Sequence, residues 1–441
     1  MSHNETGFCE RFVVKFIKTF FFLLIVAVSF TRHMALAAPI CQNIFSYNAQ
    51  VAALVGDDPF KQWLVWEQQF NFAAFRKSGD PVLIPISHIS ASTVNITYLD
   101  SAPKSLRSLI SDNDFVRWFK HPFNKNSTLP HFDDPSEESL VAYLTASRSM
   151  AFTLGDHIFT LKMATNYPHG PNGARSREKA TTKEDVMDGI NRMSYIERVD
   201  KEIGQDPELI LAKEVAIVVD KATGEGYLVR DLSFMNDGNY YLPALSIPYI
   251  GRKIAELNRM SPEAFWAKHY AALLGKSKAK LLLRYGLQME TPNPQNIFIQ
   301  LDSNLRPTGV LVFRDLSDTI LIEGVAKGLG EEETLKKDAD VGVENGHKIR
   351  PYWPNSAWGF SEGGNSFSQL TLDRWRIIHD NAYKQEIEQT LGVDLSQFAN
   401  IDDNIKFNLL MRSEVFQKKL GEYREELKKK ERARHARGEA S

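Results

Sequence analysis

Three residues that lie far apart in the sequence have the side chains that nucleotide chemistry requires: Lys162, Asn296 and Asp315. A lysine neutralises phosphate charge, whereas asparagine and aspartate oxygens are ligands that magnesium prefers. A lysine in a strand is more often solvated, and an asparagine before a strand is more often a turn residue, so both interpretations stay open at this point. The three residues predict a shared nucleotide site if the fold brings them together.

Three predicted hairpins carry these residues. RSMAFTL and HIFTLKMA flank a Gly-Asp pair and have apolar residues at every second position, which is typical of paired strands. The apolar residues of the second strand share one face, so Lys162 must point to the opposite face. EVAIVVD and GYLVRDL form a second hairpin, and IFIQLD and VLVFRD form a third, which starts after Asn296 and ends at Asp315. The hairpin geometry therefore predicts one cleft that is lined by Ser147, Lys162, Arg177, Asn296 and Asp315.

Helical patterns surround the predicted hairpins. Residues 61–76 and the amphipathic segment DVMDGINRMSYI predict helices, and PVLIPIS predicts a strand. Ser261-Pro262-Glu263 combines an N-cap with an N1 proline and opens a long helix that runs to Gly286. A helix of alternating charge is predicted for residues 416–437. The Gly-rich, charged stretch 326–367 predicts either an ordered insertion or a mobile loop.

The order of these segments resembles the palm region of the IucA/IucC family, the NRPS-independent siderophore synthetases, over roughly residues 80 to 325. FWAKHYAALLGKSKAKLLLRYGLQMETPNPQNIFIQLDSNLRPTGVLVFRDLSDT is similar to the family's Trp-containing helix, Glu-x-His-x-Gln-Asn loop, hairpin and Arg-Asp pair. TASRSMAF is similar to its Ser-x-Arg-Thr strand, FTLKMATNYPHGPNGAR to its lysine strand and the arginine that follows, and LAKEVAIVVDKATGEGYLVRD to its Glu-containing hairpin. The resemblance implies an α+β fold in which antiparallel sheets built from hairpins pack against helices, distantly like a protein kinase.

The resemblance also implies an activity. The family uses ATP and Mg²⁺ to convert a small carboxylic acid to an acyl-adenylate, which an amine or alcohol acceptor then attacks to give an amide or ester. Catalytic roles fall on Lys162, Arg148 and Arg230. Contacts with ATP or the acid fall on Ser147, Arg148, Lys162, Arg175, Arg177 and Asn293. Magnesium ligands fall on Glu290, Asn296 and Asp315.

The loop before Asn296 departs from the family pattern. With Gln295 and Asn296 in register, the family's glutamate falls on Thr291 and its histidine on Asn293. Glu290 lies one residue from the metal position, and the prolines on either side of Asn293 could hold an extended path that lets Glu290 replace the missing carboxylate.

Length and charge limit the alternatives. A chain of 441 residues with 43% hydrophobic residues is long enough for a large two-part domain or several domains. The 53 Lys and Arg residues are balanced by 55 Asp and Glu residues, so the net charge is −2. This balance argues against nucleic-acid binding driven by phosphate neutralisation.

The N-terminus has the layout of a secretory signal peptide. Arg11, Lys15 and Lys18 precede the apolar run FFFLLIVAVSF, and Ala-Leu-Ala follows at 35–37. Export followed by cleavage before Ala38 would place the chain in the periplasm or the medium without a stable membrane insertion. Translation from Met34 would instead leave the chain in the cytoplasm. Cleavage would also remove one of the two cysteines and leave no intramolecular disulfide.

The mature chain is predicted to have three parts: an N-terminal subdomain, residues 38–143; a hairpin-rich nucleotide-binding subdomain, residues 144–235; and a helical palm, residues 236–441, with the hairpin 296–315. Three functions are consistent with the sequence. The first is the ATP-dependent ligase, and the second is an exported module that binds a ligand or partner without catalysis. The third is a kinase-like phosphotransferase, because Lys162, Asn296 and Asp315 follow the order of the kinase lysine, asparagine and magnesium aspartate.

Overall fold

The fold is that of a computed structural model. The structure describes residues 49–71, 79–122, 137–146, 148–163, 183–289, 293–337, 341–342, 367–395 and 410–438. The predicted signal peptide, residues 1–37, lies outside them. Two compact units divide the chain, Met1–Val55 and Gly56–Ser441. The described part of the first unit begins with a helical turn at residues 49–52, and the three sheets formed by the described residues belong to the second unit.

Among the described residues, one sheet contains nine strands: β1 Val82–Ser90, β2 Val94–Tyr98, β3 Ser111–Asp112, β4 Phe115–Phe119, β5 Ser139–Leu144, β6 Ser149–Leu154, β7 His157–Met163, β9 Glu214–Asp220 and β10 Gly226–Asp231. All neighbouring strands pair antiparallel, in the order β2-β9-β10-β7-β6-β5-β1-β4-β3. The β6-β7 and β9-β10 hairpins confirm the first two predicted hairpins, and β1 confirms the predicted strand PVLIPIS.

Two smaller sheets continue the chain. Their strands are β8 Leu209–Leu211, β11 Tyr240–Pro243, β12 Leu287–Met289, β13 Ile297–Leu301, β14 Pro307–Phe313, β15 Thr319–Ile322 and β16 Val341–Gly342. The second sheet has the strand order β11-β13-β14-β8, with β8 parallel to β14, and the third sheet has the order β12-β15-β16. The β13-β14 hairpin confirms the third predicted hairpin. The turn after β14 leads from the second sheet to the third.

The described α-helices are α1 Pro59–Phe70, α2 Lys104–Ile110, α3 Lys183–Ile203, α4 Arg252–Leu257, α5 Pro262–Trp266, α6 Leu273–Tyr285, α7 Glu323–Gly328, α8 Glu332–Lys337, α9 Gln369–Leu391 and α10 Glu414–Ala436. The long helix predicted after Ser261 begins as expected, with the Ser261 side chain accepting from the Ala264 N–H, and ends at Gly286 in the left-handed region. A π-helical stretch, Ala267–Ala272, widens it between α5 and α6. None of the helices in the described part of the chain is long and apolar enough to cross a lipid bilayer.

Buried apolar residues join α1 to the first two sheets. The core there contains Trp63 of α1, Ile158 of β7, Phe298 of β13 and Val312 of β14. Because α1 and both sheets bury residues in one cluster, the ends of β7, β13 and β14 are held in fixed relation to each other. A second cluster packs α6, α7, α9 and α10 around the third sheet.

The observed architecture confirms the predicted α+β class, with antiparallel sheets built from hairpins and helices packed on them. Part of the stretch 326–367 is ordered, because α8 and β16 lie in it, while residues 343–366 are outside the described residues. The division of the chain at residues 143 and 235 stays a prediction.

Candidate functional site

The predicted lysine and aspartate meet at the junction of the first two sheets. Lys162 lies in β7 and Asp315 in the turn after β14, and Lys162 Nζ is 2.8 Å from Asp315 Oδ1. Their side chains are 16% and 17% exposed, so the pair lies at the accessible edge of the buried region. The pair therefore combines a cation and a carboxylate that a bound ligand could reach.

Arg230 contacts the same carboxylate from the neighbouring strand. Arg230 lies in β10 opposite Thr160 of β7, and its Nη2 donates to Asp315 Oδ1 at 2.6 Å and to Glu214 Oε1 at 2.8 Å. The side chains of Arg230 and Glu214 are 4% and 0% exposed, so this part of the cluster is buried. Burial opposes the charge of Arg230, but Asp315 and Glu214 outweigh it and raise the pKa of the guanidinium.

The second oxygen of Asp315 is held from the β13-β14 hairpin. Asn296, immediately before β13, donates from Nδ2 to Asp315 Oδ2 at 3.3 Å. The backbone N–H of Arg314 donates to the Asn296 carbonyl at 2.9 Å and joins the two ends of the hairpin. Asn293 is half-buried and has a turn role, because its Oδ1 accepts from the Gln295 N–H at 3.0 Å. The structure thus brings Asn296 and Asp315 into direct contact and places Asn293 one turn away.

Asp315 has an unusual backbone and a strongly stabilised charge. Its φ of 64° lies in the left-handed region, which a non-glycine residue adopts only when neighbouring contacts impose it. Burial alone would raise the pKa of the Asp315 carboxyl, but the charges of Lys162 and Arg230 outweigh burial and hold the pKa well below its usual value. Asp315 is therefore ionised at neutral pH.

A further carboxyl lies in the same turn. Asp318 is exposed at the surface, yet desolvation by the residues packed around its carboxyl and the negative charge of Asp315 raise its pKa to about 6. Glu214 adds to this repulsion, while Lys162 opposes it. Asp318 therefore binds its proton more tightly than an ordinary aspartate.

Other predicted site residues are placed less completely. The Arg148 carbonyl accepts from the Met163 N–H at 2.9 Å, which puts Arg148 beside the end of β7 next to Lys162, and Arg148 is half-buried. Ser147, Arg175, Arg177 and Glu290 lie outside the described residues. The structure thus brings together Lys162, Arg230, Asn296 and Asp315, and their assigned roles stay predictions.

Asp315 and Asn296 carry the type of oxygen atoms that magnesium uses when it is bound together with a nucleotide. Within the described ranges, no group of three or more His, Cys, Asp and Glu side chains is arranged to hold a metal ion. Mg²⁺ bound with a nucleotide commonly takes only one or two protein carboxylates, and phosphate and water oxygens complete its octahedron. Asp315 and Asn296 would supply the protein ligands, provided that Lys162 or Arg230 gives up its contact with Asp315.

Sequence reasoning missed two features that shape the cluster. Glu214, the buried partner of Arg230, lies in the second predicted hairpin, where a carboxylate and an arginine on adjacent strands are a recognisable cross-strand signal. A second buried ion pair joins Arg314 to Glu67 of α1 at 2.7 Å. Their separation of 247 residues leaves no signal in a single sequence.

No family model matches the sequence, and no curated protein matches it. Aerobactin synthetase IucC from Klebsiella pneumoniae has a similar structure, with 12% identity, a TM-score of 0.51, and coverage of 83% of this chain and 73% of that chain. ATP-bound aerobactin synthetase IucA from the same organism matches with 11% identity and a TM-score of 0.46, over 77% of this chain and 64% of that chain. The petrobactin biosynthesis protein AsbB from Bacillus anthracis matches with 12% identity and a TM-score of 0.44, over 80% of this chain and 65% of that chain.

The similarity to IucC shows a shared fold at low sequence identity. The chain therefore has a siderophore-synthetase-like fold, which confirms the fold that the resemblance in the sequence implies. It spans about two thirds of the length of IucA and AsbB.

Proposed function

We propose that this chain is an ATP-dependent ligase that joins a small carboxylic acid to an amine or an alcohol. The observation that carries the proposal is the convergence of Lys162, Arg230 and Asn296 on the Asp315 carboxylate. The shared fold supports the reaction class. Since one fold can host many chemistries, the site carries the functional argument.

The proposed reaction has two steps. A carboxylate oxygen of the acid attacks the α-phosphorus of ATP, and pyrophosphate leaves as the acyl-adenylate forms. The nitrogen or oxygen of the acceptor then attacks the acyl carbon, AMP leaves, and a proton is released as the amide or ester forms. Negative charge develops on phosphate oxygens in the first step, where fixed cations stabilise it.

Lys162 and Arg230 have different proposed roles because they differ in exposure. Lys162 is the more accessible cation, so we assign it to the phosphates of ATP, with its contact to Asp315 exchanged for a phosphate oxygen. Arg230 is buried between Glu214 and Asp315 and would keep the carboxylate oriented during that exchange. Arg148 lies beside this strand end, and we assign its side chain to the phosphate or the acid. Ser147, Arg175, Arg177 and Asn293 keep the same assignment.

Magnesium is the proposed metal, with Asp315 and Asn296 as ligands and Glu290 as the third. When bound, the ion would neutralise phosphate charge. The protein's contribution is the orientation of Asp315 and Asn296 by the hairpin bond from Arg314 to the Asn296 carbonyl.

A second candidate function is supported by the hydrogen bonds that Asp315 already accepts within the chain. Both of its oxygens already accept from side chains of this chain, with Lys162 and Arg230 on one oxygen and Asn296 on the other. Such a carboxylate can serve as a structural link between two sheets. This arrangement favours a module that keeps the fold and binds a ligand or partner without catalysis.

Acid-dependent exchange of radiolabelled pyrophosphate into ATP tests the ligase proposal. A panel of carboxylic acids is incubated with the protein, ATP and Mg²⁺, and hydroxylamine is added in a parallel series to trap activated acids as hydroxamates. We expect exchange and hydroxamate formation with at least one acid, and their loss in Asp315→Ala. Absence of both signals across the panel, in a protein that binds ATP, would favour the binding module.

We also propose that the chain is exported after cleavage before Ala38. Export would separate the protein from cytoplasmic ATP, so it bears directly on the choice between ligase and binding module. Translation from Met34 would keep the protein with its ATP supply and would favour the ligase.

A further inference from the structure

A buried ion pair connects helix α1 to the residue that precedes Asp315. Arg314 Nη2 donates to Glu67 Oε1 at 2.7 Å, and the two side chains are 4% and 0% exposed. Asn71 donates to the same glutamate oxygen at 3.2 Å, and the Arg314 guanidinium lies 4.8 Å from the centre of the Phe298 ring. The Arg314 side chain is therefore fixed by charge, hydrogen bonding and stacking together.

Arg314 is fixed through its backbone as well. Its N–H donates to the Asn296 carbonyl at 2.9 Å, at the open end of the β13-β14 hairpin. The next residue, Asp315, has a left-handed backbone conformation, which is unfavourable for most residues other than glycine. Contacts hold both the side chain and the backbone of Arg314. The backbone of the next residue, Asp315, therefore has little freedom to change its conformation.

Helix α1 is in turn attached to the first sheet. Gln68 Nε2 donates to the Leu144 carbonyl at the end of β5 at 2.6 Å, and Trp63 packs edge-on against Phe298 with ring centres 6.0 Å apart. The helix thus connects the sheet that carries Lys162 to the turn that carries Asp315.

We infer that Glu67 is a positioning residue, which acts through Arg314 to hold the Asp315 carboxylate against Lys162. A buried ion pair adds little net stability compared with apolar residues of similar size, so stability alone does not account for the pair of Glu67 and Arg314. Glu67 Oε2 has no hydrogen-bond partner among the described residues, which adds to the cost of burying this carboxylate. The effect on nucleotide binding rests on the proposed function, whereas the positioning of Asp315 does not.

The test compares Glu67→Gln with the double variant Glu67→Leu/Arg314→Met, which replaces the pair by apolar residues. Acetylation of Lys162 by a limiting amount of acetic anhydride is measured by mass spectrometry in each folded protein. We expect the Lys162 acetylation rate to rise roughly fivefold or more in both variants, since the charged partner of the amine is no longer held in place. The apolar double variant should regain thermal stability while Lys162 stays reactive.

A matched control breaks a buried ion pair elsewhere. Glu331→Gln removes one of the two carboxylate partners of Arg424, the one at 2.9 Å with side chains 6% and 3% exposed, and should leave Lys162 acetylation unchanged. Wild-type acetylation rates in folded Glu67→Gln and in the double variant would overturn the inference. A calorimetric titration with Mg²⁺ and ATP is a separate arm: if the wild type binds no ATP, the proposed function fails while the acetylation result still decides the positioning role.

Discussion

Lys162 and Asp315, separated by 153 residues in the chain, form an ion pair with 2.8 Å between Nζ and Oδ1. The contact joins β7 of the first sheet to the turn that follows β14 of the second. Arg230 binds the same oxygen from β10, so two cations from adjacent strands hold one carboxylate. This charge cluster gives the proposed function its chemistry, and its members can be changed one at a time.

Replacing Lys162 by methionine should weaken ATP binding more than it affects folding. Asp315 keeps Arg230 and Asn296 as partners, whereas the phosphate loses its accessible cation, so we expect the Kd for ATP with Mg²⁺ to rise roughly tenfold or more. Isothermal titration calorimetry measures it. Lys280→Met is the control, because Lys280 is 13% exposed and ion-paired with Asp206 in another part of the fold. Equal Kd values for wild type and Lys162→Met would remove Lys162 from the site.

Replacing Glu214 by glutamine should destabilise the fold. Arg230 would stay buried with Asp315 as its only charged partner among the described residues, and breaking a buried ion pair costs on the order of 3 kcal/mol. Urea denaturation gives the change in the free energy of unfolding. Glu138→Gln, which removes the exposed partner of Arg117, should cost less than about 1 kcal/mol. A similar small loss for both variants would show that Glu214 does not stabilise Arg230.

The sequence allowed the hairpins and the meeting of Lys162 with Asp315 to be predicted, because strand alternation determines which side chains share a face. The position of Asn296 next to Asp315 could be predicted as well, because the two residues flank the open end of the β13-β14 hairpin. The Glu67 and Arg314 pair could not be predicted, since it depends on how α1 packs against Phe298. The left-handed conformation of Asp315 was also missed, because tertiary contacts impose it on a residue type that does not require it.

Lys278 of α6 should make stability depend on pH. Burial lowers the pKa of its amine to about 7, against the smaller opposing effect of Asp380. In the unfolded chain the amine keeps its ordinary pKa of 10.5, so between pH 7 and 10 the unfolded state binds more protons. The free energy of unfolding of the wild type, relative to Lys278→Met, should therefore rise with pH by up to about 1.4 kcal/mol per unit.

Urea denaturation at about pH 7, 8.5 and 10, which covers the interval between the folded and the unfolded pKa of Lys278, measures this trend. Lys336→Met is the control, because the Lys336 side chain is 68% exposed and should show no comparable trend. A difference between wild type and Lys278→Met that is constant with pH would mean that Lys278 is charged in the folded protein.

The mature protein should begin at Ala38. Basic residues, an apolar run and Ala-Leu-Ala at 35–37 precede this position, which is the layout of a cleaved signal peptide. Intact-mass analysis of protein purified from its native host gives the N-terminus directly. A chain that retains Met1, or one that begins at Met34, would reject export by this route.

The most direct measurement of the central claim is calorimetric titration of the mature wild-type protein and Asp315→Ala with ATP at millimolar Mg²⁺. The site places Asp315 between Lys162, Arg230 and Asn296, so we predict binding by the wild type and no detectable Mg²⁺-dependent binding by Asp315→Ala. Addition of a chelator should abolish the Mg²⁺-dependent part of the wild-type signal. A wild-type protein that binds no ATP under these conditions would contradict the ligase proposal and leave the exported binding module.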